Sequence, residues 1–111
     1  MKGRRDEATT EAKIERRACD WAKSQGWYVR KFVSPSTRGV PDRIFIKDGR
    51  VVFIEFKRPG NKTTPLQEYE IKQLRDQGME VYVAYSVEQV KEMLFGIVKI
   101  DKEHELDWLD E

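Results

Sequence analysis

The sequence predicts an α/β domain in which helices cover a central mixed β-sheet. Three features predict it: a hairpin pattern in residues 39–60, an amphipathic helix before it, and a helix, a strand and a helix after it. The predicted element order is αβββαβα. The two strands of the hairpin are antiparallel. The second of them, with the helix and strand that follow, forms a strand–helix–strand unit, which implies a parallel pair with a right-handed crossover. The sheet is therefore expected to be mixed.

The first helix is expected to begin at Thr9 or Thr10 as its N-cap and to run to about residue 25, where Gly26 ends it. Residues 1–6 are basic and are expected to fray. One stripe of this helix is apolar and carries Ile14, Ala18, Trp21 and Ala22. Glu11 falls within the stripe and Glu15 at its edge. An acid at that end either favours the helix dipole or reaches a site near the sheet.

The strands of the hairpin follow a short strand at residues 27–33 and a polar loop at 34–39. Asp48-Gly49 predicts a type I′ turn, which needs positive φ at both residues. That turn sets Asp42 directly opposite Glu55. Because side chains alternate between faces, Lys57 lies on the same face as both acids.

Two opposed carboxylates destabilise a sheet unless something neutralises them. A hard divalent cation such as Mg²⁺ would do so, because it takes oxygen ligands from one or two carboxylates and from water. Lys57 could then hold a phosphate or orient a water. The alternative is a solvent-facing strand that binds nothing, but Ile44 and Phe53 on the same face indicate that it is half buried.

Two helix starts follow the hairpin. Thr64, Pro65 and Gln67 predict a capping box for a helix to about residue 77, where Gly78 ends it. Its buried positions are expected to be Leu66, Tyr69, Ile71 and Leu74. After a strand at 80–85, Ser86 and Gln89 predict a second capping box for a helix to about residue 95. A short strand at 96–100 and an acidic tail are expected to complete the chain.

Composition indicates a single domain over residues 1–111, with a core at about 8–96 and a C-terminal tail at 97–111. The chain has 111 residues, and its 39% hydrophobic and 37% charged residues suit a small domain with a heavily charged surface. Its aromatic content of 11% argues against a disordered protein. No apolar run is long enough to span a membrane, and we expect no membrane partner. The single cysteine, Cys19, cannot form an internal disulfide, and a reducing compartment, the cytoplasm, is expected.

The formal net charge of +1 conceals an asymmetry. Residues 1–62 contain 16 basic and 8 acidic residues, whereas residues 63–111 contain 5 and 12. A basic half that also carries the opposed acids suggests a polyanionic substrate. The alternative is a segregation that folding mixes into an ordinary surface.

Four elements of the sequence together resemble the PD-(D/E)XK nuclease superfamily: Glu11, GVPD at 39–42, IEFK at 54–57 and PLQ at 65–67. Within it, residues 8–90 are similar to the stand-alone virus-type replication-repair nuclease (VRR-NUC) domain of phages and bacteria. The resemblance implies a restriction-endonuclease-like core related to Holliday-junction resolvases. It also implies a homodimeric, metal-dependent endonuclease that acts on branched or duplex DNA in the cytoplasm, the host's if the gene is a phage's.

The same resemblance implies roles for individual residues. Asp42 and Glu55 would bind Mg²⁺ or Mn²⁺ with the backbone carbonyl of Phe56, and Glu11 would complete the shell directly or through water. Lys57 would orient the attacking water and stabilise charge on the phosphate, which would leave a 5′-phosphate and a 3′-hydroxyl. Gln67 matches a glutamine near the active site. Candidates for phosphate contacts are Arg30, Lys31, Arg38, Arg43, Arg58 and Lys62.

Other functions stay open at this point. A flap endonuclease or a nickase would carry the same residues, and a non-catalytic DNA-binding module could retain the fold. An interaction or inhibitor protein could use the acidic half to bind a basic partner. A dimer interface could involve the strand with Tyr82 and Ala84 or the last helix, and periodicity does not distinguish an interface from a core.

Overall fold

The computed structural model describes residues 2–96, so the predicted strand beyond Gly96 and the acidic tail at 97–111 lie outside the described residues. The sheet has four strands in the order β1-β2-β3-β4. The elements are α1 (Lys2–Ser24), β1 (Tyr28–Lys31), β2 (Arg43–Lys47), β3 (Arg50–Phe56), α2 (Pro65–Asp76), β4 (Glu80–Ala84), α3 (Val87–Lys91) and a π-helical turn (Glu92–Gly96). This order confirms the predicted fold class.

The central hairpin has the predicted turn and register. Asp48 and Gly49 have φ of 51° and 83°, as a type I′ turn requires. Lys47 pairs with Arg50, and the antiparallel ladder continues to Arg43 opposite Ile54. β1 is antiparallel to β2 and β4 is parallel to β3, so the sheet is mixed as predicted.

The two faces of the sheet are covered by different helices. On one face, Val52, Ile54 and Phe56 pack in a cluster with residues of α1, α3 and the π-helical turn, including Ala18, Ala22, Val90 and Leu94. On the other face, Phe53 packs against Ile71 of α2. Because side chains alternate along β3, Glu55 lies on the α2 face.

The start of α1 differs from the prediction. The helix begins at Lys2, so Thr9 and Thr10 lie within it rather than at its N-cap, and residues 2–6 are helical rather than frayed. Arginine, glutamate and alanine are strong helix formers, and the helix extends towards the N-terminus through Arg4, Arg5, Glu7 and Ala8. Its C-terminal end is as predicted, because Ser24 is its last residue and Gly26 has a φ of 95°.

The start of α2 is as predicted, but part of its buried face is not. The Thr64 side chain accepts a hydrogen bond from the Gln67 amide, and the Gln67 side chain accepts one from the Thr64 amide, so the capping box is complete. Ile71 is buried, whereas Leu66 and Tyr69 are 53% and 57% exposed. The helix faces the sheet through positions 67, 71 and 74, which follow helical spacing and leave 66 and 69 on the outer side.

Only half of the second predicted capping box forms. Ser86 Oγ accepts a hydrogen bond from the Gln89 amide at 3.1 Å. Gln89 Oε1, however, accepts from the Tyr85 amide at 2.6 Å instead of from Ser86. Within the described part of the chain, no helix combines the length and apolarity needed to cross a membrane.

Candidate active site

The ends of β2 and β3 bring two acids and a lysine together. Asp42 immediately precedes β2, and its Oδ2 accepts a hydrogen bond from the Phe56 amide at 2.8 Å. Since Arg43 pairs with Ile54, the next position in this register sets Asp42 beside Glu55. The Lys57 amide donates to the Ala84 carbonyl at 3.0 Å, which extends the parallel β3–β4 pairing and fixes the backbone at the lysine.

Glu55 is the centre of this cluster. Its Oε2 accepts a hydrogen bond from Gln67 Nε2 at 2.9 Å and lies 3.7 Å from Lys57 Nζ. The residue is only 3% exposed, and Lys57 is 8% exposed. Glu55 Oε1 is buried and has no hydrogen-bond partner. A buried carboxylate oxygen without a donor costs free energy, so this oxygen is suited to a cation or a water.

Glu11 approaches the same strand ends from α1. Its Oε1 accepts a hydrogen bond from the Arg58 amide at 3.2 Å, directly after Lys57 in the chain. The acid on the apolar stripe of α1 therefore reaches the end of β3, one residue beyond Lys57. This contact also connects the helix on one face of the sheet to a site on the other face.

The cluster opposes ionisation of its own carboxylates. Burial, with a further contribution from the Asp42 charge, raises the pKa of Glu55 to about 7, and the Lys57 charge only partly offsets the shift. Burial also raises the pKa of Asp42, although the hydrogen bond from the Phe56 amide lowers it, and Glu15 and Glu11 raise it further. Positive charge at this position would favour the ionised forms.

The donor set fits a hard divalent cation. Mg²⁺ is commonly held by one or two carboxylates together with waters, and Asp42 and Glu55 supply two, one with an unpartnered oxygen. Among the side chains that the structure describes, those of residues 10–95, there is no group of three or more Asp, Glu, His or Cys close enough to form a metal site on its own. Glu11, engaged with the Arg58 amide, thus stands apart from the pair, and its place in a metal shell stays a prediction.

Gln67 both completes the capping box of α2 and contacts the Glu55 carboxylate. Oε1 accepts from the Thr64 amide at 2.9 Å, which leaves Nε2 to donate to Glu55. One side chain therefore caps α2 and orients the Glu55 carboxylate. The capping contact also assigns the amide orientation, because only the oxygen can accept from a backbone N–H.

Sequence reasoning missed Glu15 as part of the surroundings of the site. Its Oε2 accepts a hydrogen bond from Arg43 Nε at 2.6 Å, and both side chains are partly buried. Arg43, predicted to contact DNA, is thus paired with an acid of α1. The spacing of Glu11 and Glu15, one helical turn apart, is the signal that could have found this second acid.

The other predicted phosphate contacts surround the site in different ways. Arg30 lies over the Tyr28 ring at 4.0 Å and donates to the Val29 carbonyl. Lys31, Arg38 and Lys62 are exposed, whereas Arg58 is half buried beside Glu11. Their contacts with DNA stay a prediction.

Comparisons with known proteins identify relatives of the chain. The sequence profile of the VRR-NUC domain matches residues 23–88, which include Asp42, Glu55, Lys57 and Gln67 but not Glu11. "Putative nuclease p44" of Acyrthosiphon pisum secondary endosymbiont phage 1 is 40% identical over 74 residues, or 66% of this chain and 80% of that protein.

Two solved structures resemble the fold. A VRR-NUC domain superimposes with a TM-score of 0.71 at 28% identity and covers 77% of this chain and 94% of its own. A second VRR-NUC domain protein has a TM-score of 0.66 at 22% identity, with 76% and 84% of the two chains covered, and supports the fold alone.

Proposed function

The chain belongs to the VRR-NUC family, and on that premise we propose that it is a metal-dependent endonuclease that hydrolyses phosphodiester bonds in branched DNA. The observation that carries the proposal is the buried, unpartnered Oε1 of Glu55, on a carboxylate that also contacts Gln67 and lies near Lys57. The name of the phage relative supports nuclease activity. The dependence on a metal and the preference for branched DNA go beyond what that name supports and are part of the proposal.

Asp42, Glu55 and the Phe56 carbonyl are the groups that would hold Mg²⁺ or Mn²⁺, with Glu11 contributing through water. When bound, such a cation activates water and neutralises charge on the phosphate. Lys57 orients the nucleophilic water and stabilises negative charge that develops on the scissile phosphate. Gln67 holds the Glu55 carboxylate in place through Oε2 and leaves Oε1 without a hydrogen-bond partner. The products are a 5′-phosphate and a 3′-hydroxyl.

The substrate proposal is a four-way junction cut by a homodimer, as in the related resolvases. The excess of basic residues in 1–62 supports a polyanionic substrate, because lysine and arginine neutralise phosphates and steer association. A flap endonuclease or nickase of the same fold would use the same residues. Substrate selectivity is therefore a question for cleavage experiments.

The test is a cleavage assay on a labelled four-way junction, a 3′ flap, a 5′ flap and plain duplex, each with Mg²⁺, Mn²⁺ or EDTA. The variants are Asp42→Ala and, as a matched control, Asp76→Ala, which removes an exposed aspartate from α2. We expect metal-dependent incision that Asp42→Ala abolishes and Asp76→Ala retains. Incision in EDTA, or none on any substrate, would contradict the proposal, and binding without incision would favour a DNA-binding module.

A further inference from the structure

A second charged feature lies on the α1 face of the sheet, at the same end of the sheet where Asp42 and Glu55 lie on the α2 face. Helix α1 and the neighbouring residues of β1 and β2 line a cleft of about 330 Å³, which we name the α1 cleft. The charged residues lining it are Glu15, Arg16, Asp20, Lys23, Lys31 and Arg43. Four of these six carry positive charge, so the α1 cleft is suited to an anion.

The α1 cleft begins at the end of the sheet that carries the catalytic pair. Arg43 follows Asp42 in the chain and pairs with Lys31 across β1 and β2. Glu15 lies one helical turn beyond Glu11 on α1. From Ala12 to Lys23, two lining residues, the helix rises about 16 Å, which equals about five base-pair steps of duplex DNA at 3.4 Å each.

The lining of the cleft has two more cations than acids. Glu15 is already neutralised by Arg43 through the 2.6 Å contact. Among the residues whose side chains the structure describes, 10–95, the side chains of Arg16, Lys23 and Lys31 form no ion pair or hydrogen bond, so their donors are available to a ligand. Asp20 is the one remaining acid on the lining, and it leaves an excess of positive charge.

We propose that the α1 cleft binds the sugar-phosphate backbone of one arm of the DNA substrate and so directs the neighbouring strand to Asp42 and Glu55. This inference rests on the proposed nuclease function. Arg16 and Lys23 lie seven residues apart on one helix face, a separation of about 10 Å along the axis, which a polyanion with regularly spaced phosphates spans and a single phosphate does not. Such contacts position the duplex without reading its sequence.

The test compares two double variants of α1 that remove the same charge. Arg16→Gln with Lys23→Gln removes two cations from the cleft. Lys13→Gln with Arg17→Gln, the matched control, removes two exposed cations of the same helix that lie outside the cleft lining. Junction binding is measured by fluorescence anisotropy in EDTA, which excludes a metal-mediated contribution, at several salt concentrations. Circular dichroism melting verifies that both variants fold, as expected for exposed positions.

We expect the cleft variant to weaken binding roughly tenfold and to lower the salt slope, log Kd against log salt, by about 1.8, since each lost phosphate contact lowers it by about 0.9. The control should change the slope by much less. Equal changes in the two variants, or no binding by the native chain, would overturn the inference. Native binding through the cleft without incision would instead overturn the nuclease proposal alone.

Discussion

Glu55 is stabilised at one oxygen and left unsatisfied at the other. Gln67 and Lys57 both lie at Oε2, whereas Oε1 is buried with no donor. Desolvation of this carboxylate is the largest cause of its raised pKa. A side chain arranged in this way destabilises the metal-free fold when it ionises, and a bound cation would reverse the effect.

The pKa of Glu55 makes a prediction about stability and pH. Burial raises the pKa of Glu55 in the folded state from its ordinary value of 4.5 to about 7, so between these values the folded protein retains a proton that the unfolded chain has lost. The free energy of unfolding contributed by this group therefore falls as pH rises towards 7, by on the order of 3 kcal/mol. Glu55→Gln should remove this dependence and be more stable than the native chain at pH 8.5.

Urea unfolding in EDTA at pH 5.5 and pH 8.5 measures this difference. Glu80→Gln is not a suitable control, because Glu80 is bound by Arg50 and its pKa is lowered. Glu88→Gln, at an exposed position of α3, is a better control and should keep the native pH profile. Parallel profiles for the native chain and Glu55→Gln would contradict the raised pKa.

Lys57→Ala should abolish cleavage and leave junction binding within about threefold of the native value, because in the proposed mechanism the ammonium stabilises charge on the scissile phosphate from a buried position. Loss of a group that stabilises charge in the transition state costs about 10²-fold or more in kcat. Lys72→Ala is the matched control, since Lys72 is an exposed lysine of α2 paired with Asp76. Normal turnover by Lys57→Ala would contradict the assigned role.

The sequence predicts the positions of those site residues that strand alternation and hairpin register determine. The Asp48-Gly49 turn is sufficient to set Asp42 beside Glu55 and Lys57 on the same face, as found. Glu15 was not predicted as a neighbour of the site, because its partner Arg43 lies on a strand 28 residues away and helical periodicity says nothing about that strand's position.

The start of α2 links the capping of a helix to the geometry of the site. Gln67 contacts the Thr64 amide with one end of its side chain and Glu55 with the other. The helix cap and the carboxylate position are therefore coupled through one residue. Local sequence predicts the capping box, but only the crossover of α2 onto the β3 face brings that glutamine to Glu55.

Thr64→Ala and Gln67→Ala separate these two functions. Thr64→Ala removes a side-chain acceptor at the N-cap and should lower the free energy of unfolding by about 1 kcal/mol with little change in kcat. Gln67→Ala should cost similar stability but also lower kcat by roughly tenfold or more, because Glu55 loses its hydrogen bond. Urea unfolding and single-turnover cleavage measure the two effects. Equal kcat values for both variants would exclude a positioning role for Gln67.

Gly39 connects the loop before Asp42 to the start of α2. It has a φ of 89°, and a Cβ there would lie 2.7 Å from the Leu66 carbonyl oxygen, which is backbone and cannot move aside easily. Gly39→Ala should therefore lower the free energy of unfolding by about 2–4 kcal/mol, the sum of a left-handed residue and a steric conflict. Gly60→Ala is the control, because its φ is 88° but no atom lies within 4 Å of a Cβ.

The Gly60 variant should cost only about 1–2 kcal/mol, for the conformation alone. Equal losses in urea unfolding would mean that the loop moves freely away from α2. This packing also bears on the wrong prediction for Leu66 and Tyr69. The close approach of Gly39 fixes how α2 lies on the sheet, and amphipathic periodicity alone does not determine which part of a broad apolar stripe the sheet covers.

At the scale of the whole molecule, the order of the elements predicts the mixed sheet. It does not predict the oligomeric state of the active protein. Within the described residues, each chain has one candidate active site, formed by Asp42, Glu55 and Lys57. A four-way junction is resolved by two symmetric cuts, which need two such sites at a fixed separation. A two-fold dimer supplies that arrangement.

The prediction is that the chain sediments at twice its mass of 13.1 kDa and cuts a four-way junction at two symmetric positions. Mixing native chain with an excess of Asp42→Ala should then give mostly singly nicked junctions, since each mixed dimer retains one competent site. Analytical ultracentrifugation and a denaturing gel of both labelled strands measure the two properties. A monomer that makes independent single cuts, with a nick fraction unaffected by added Asp42→Ala, would contradict the dimer and favour a nickase of the same fold.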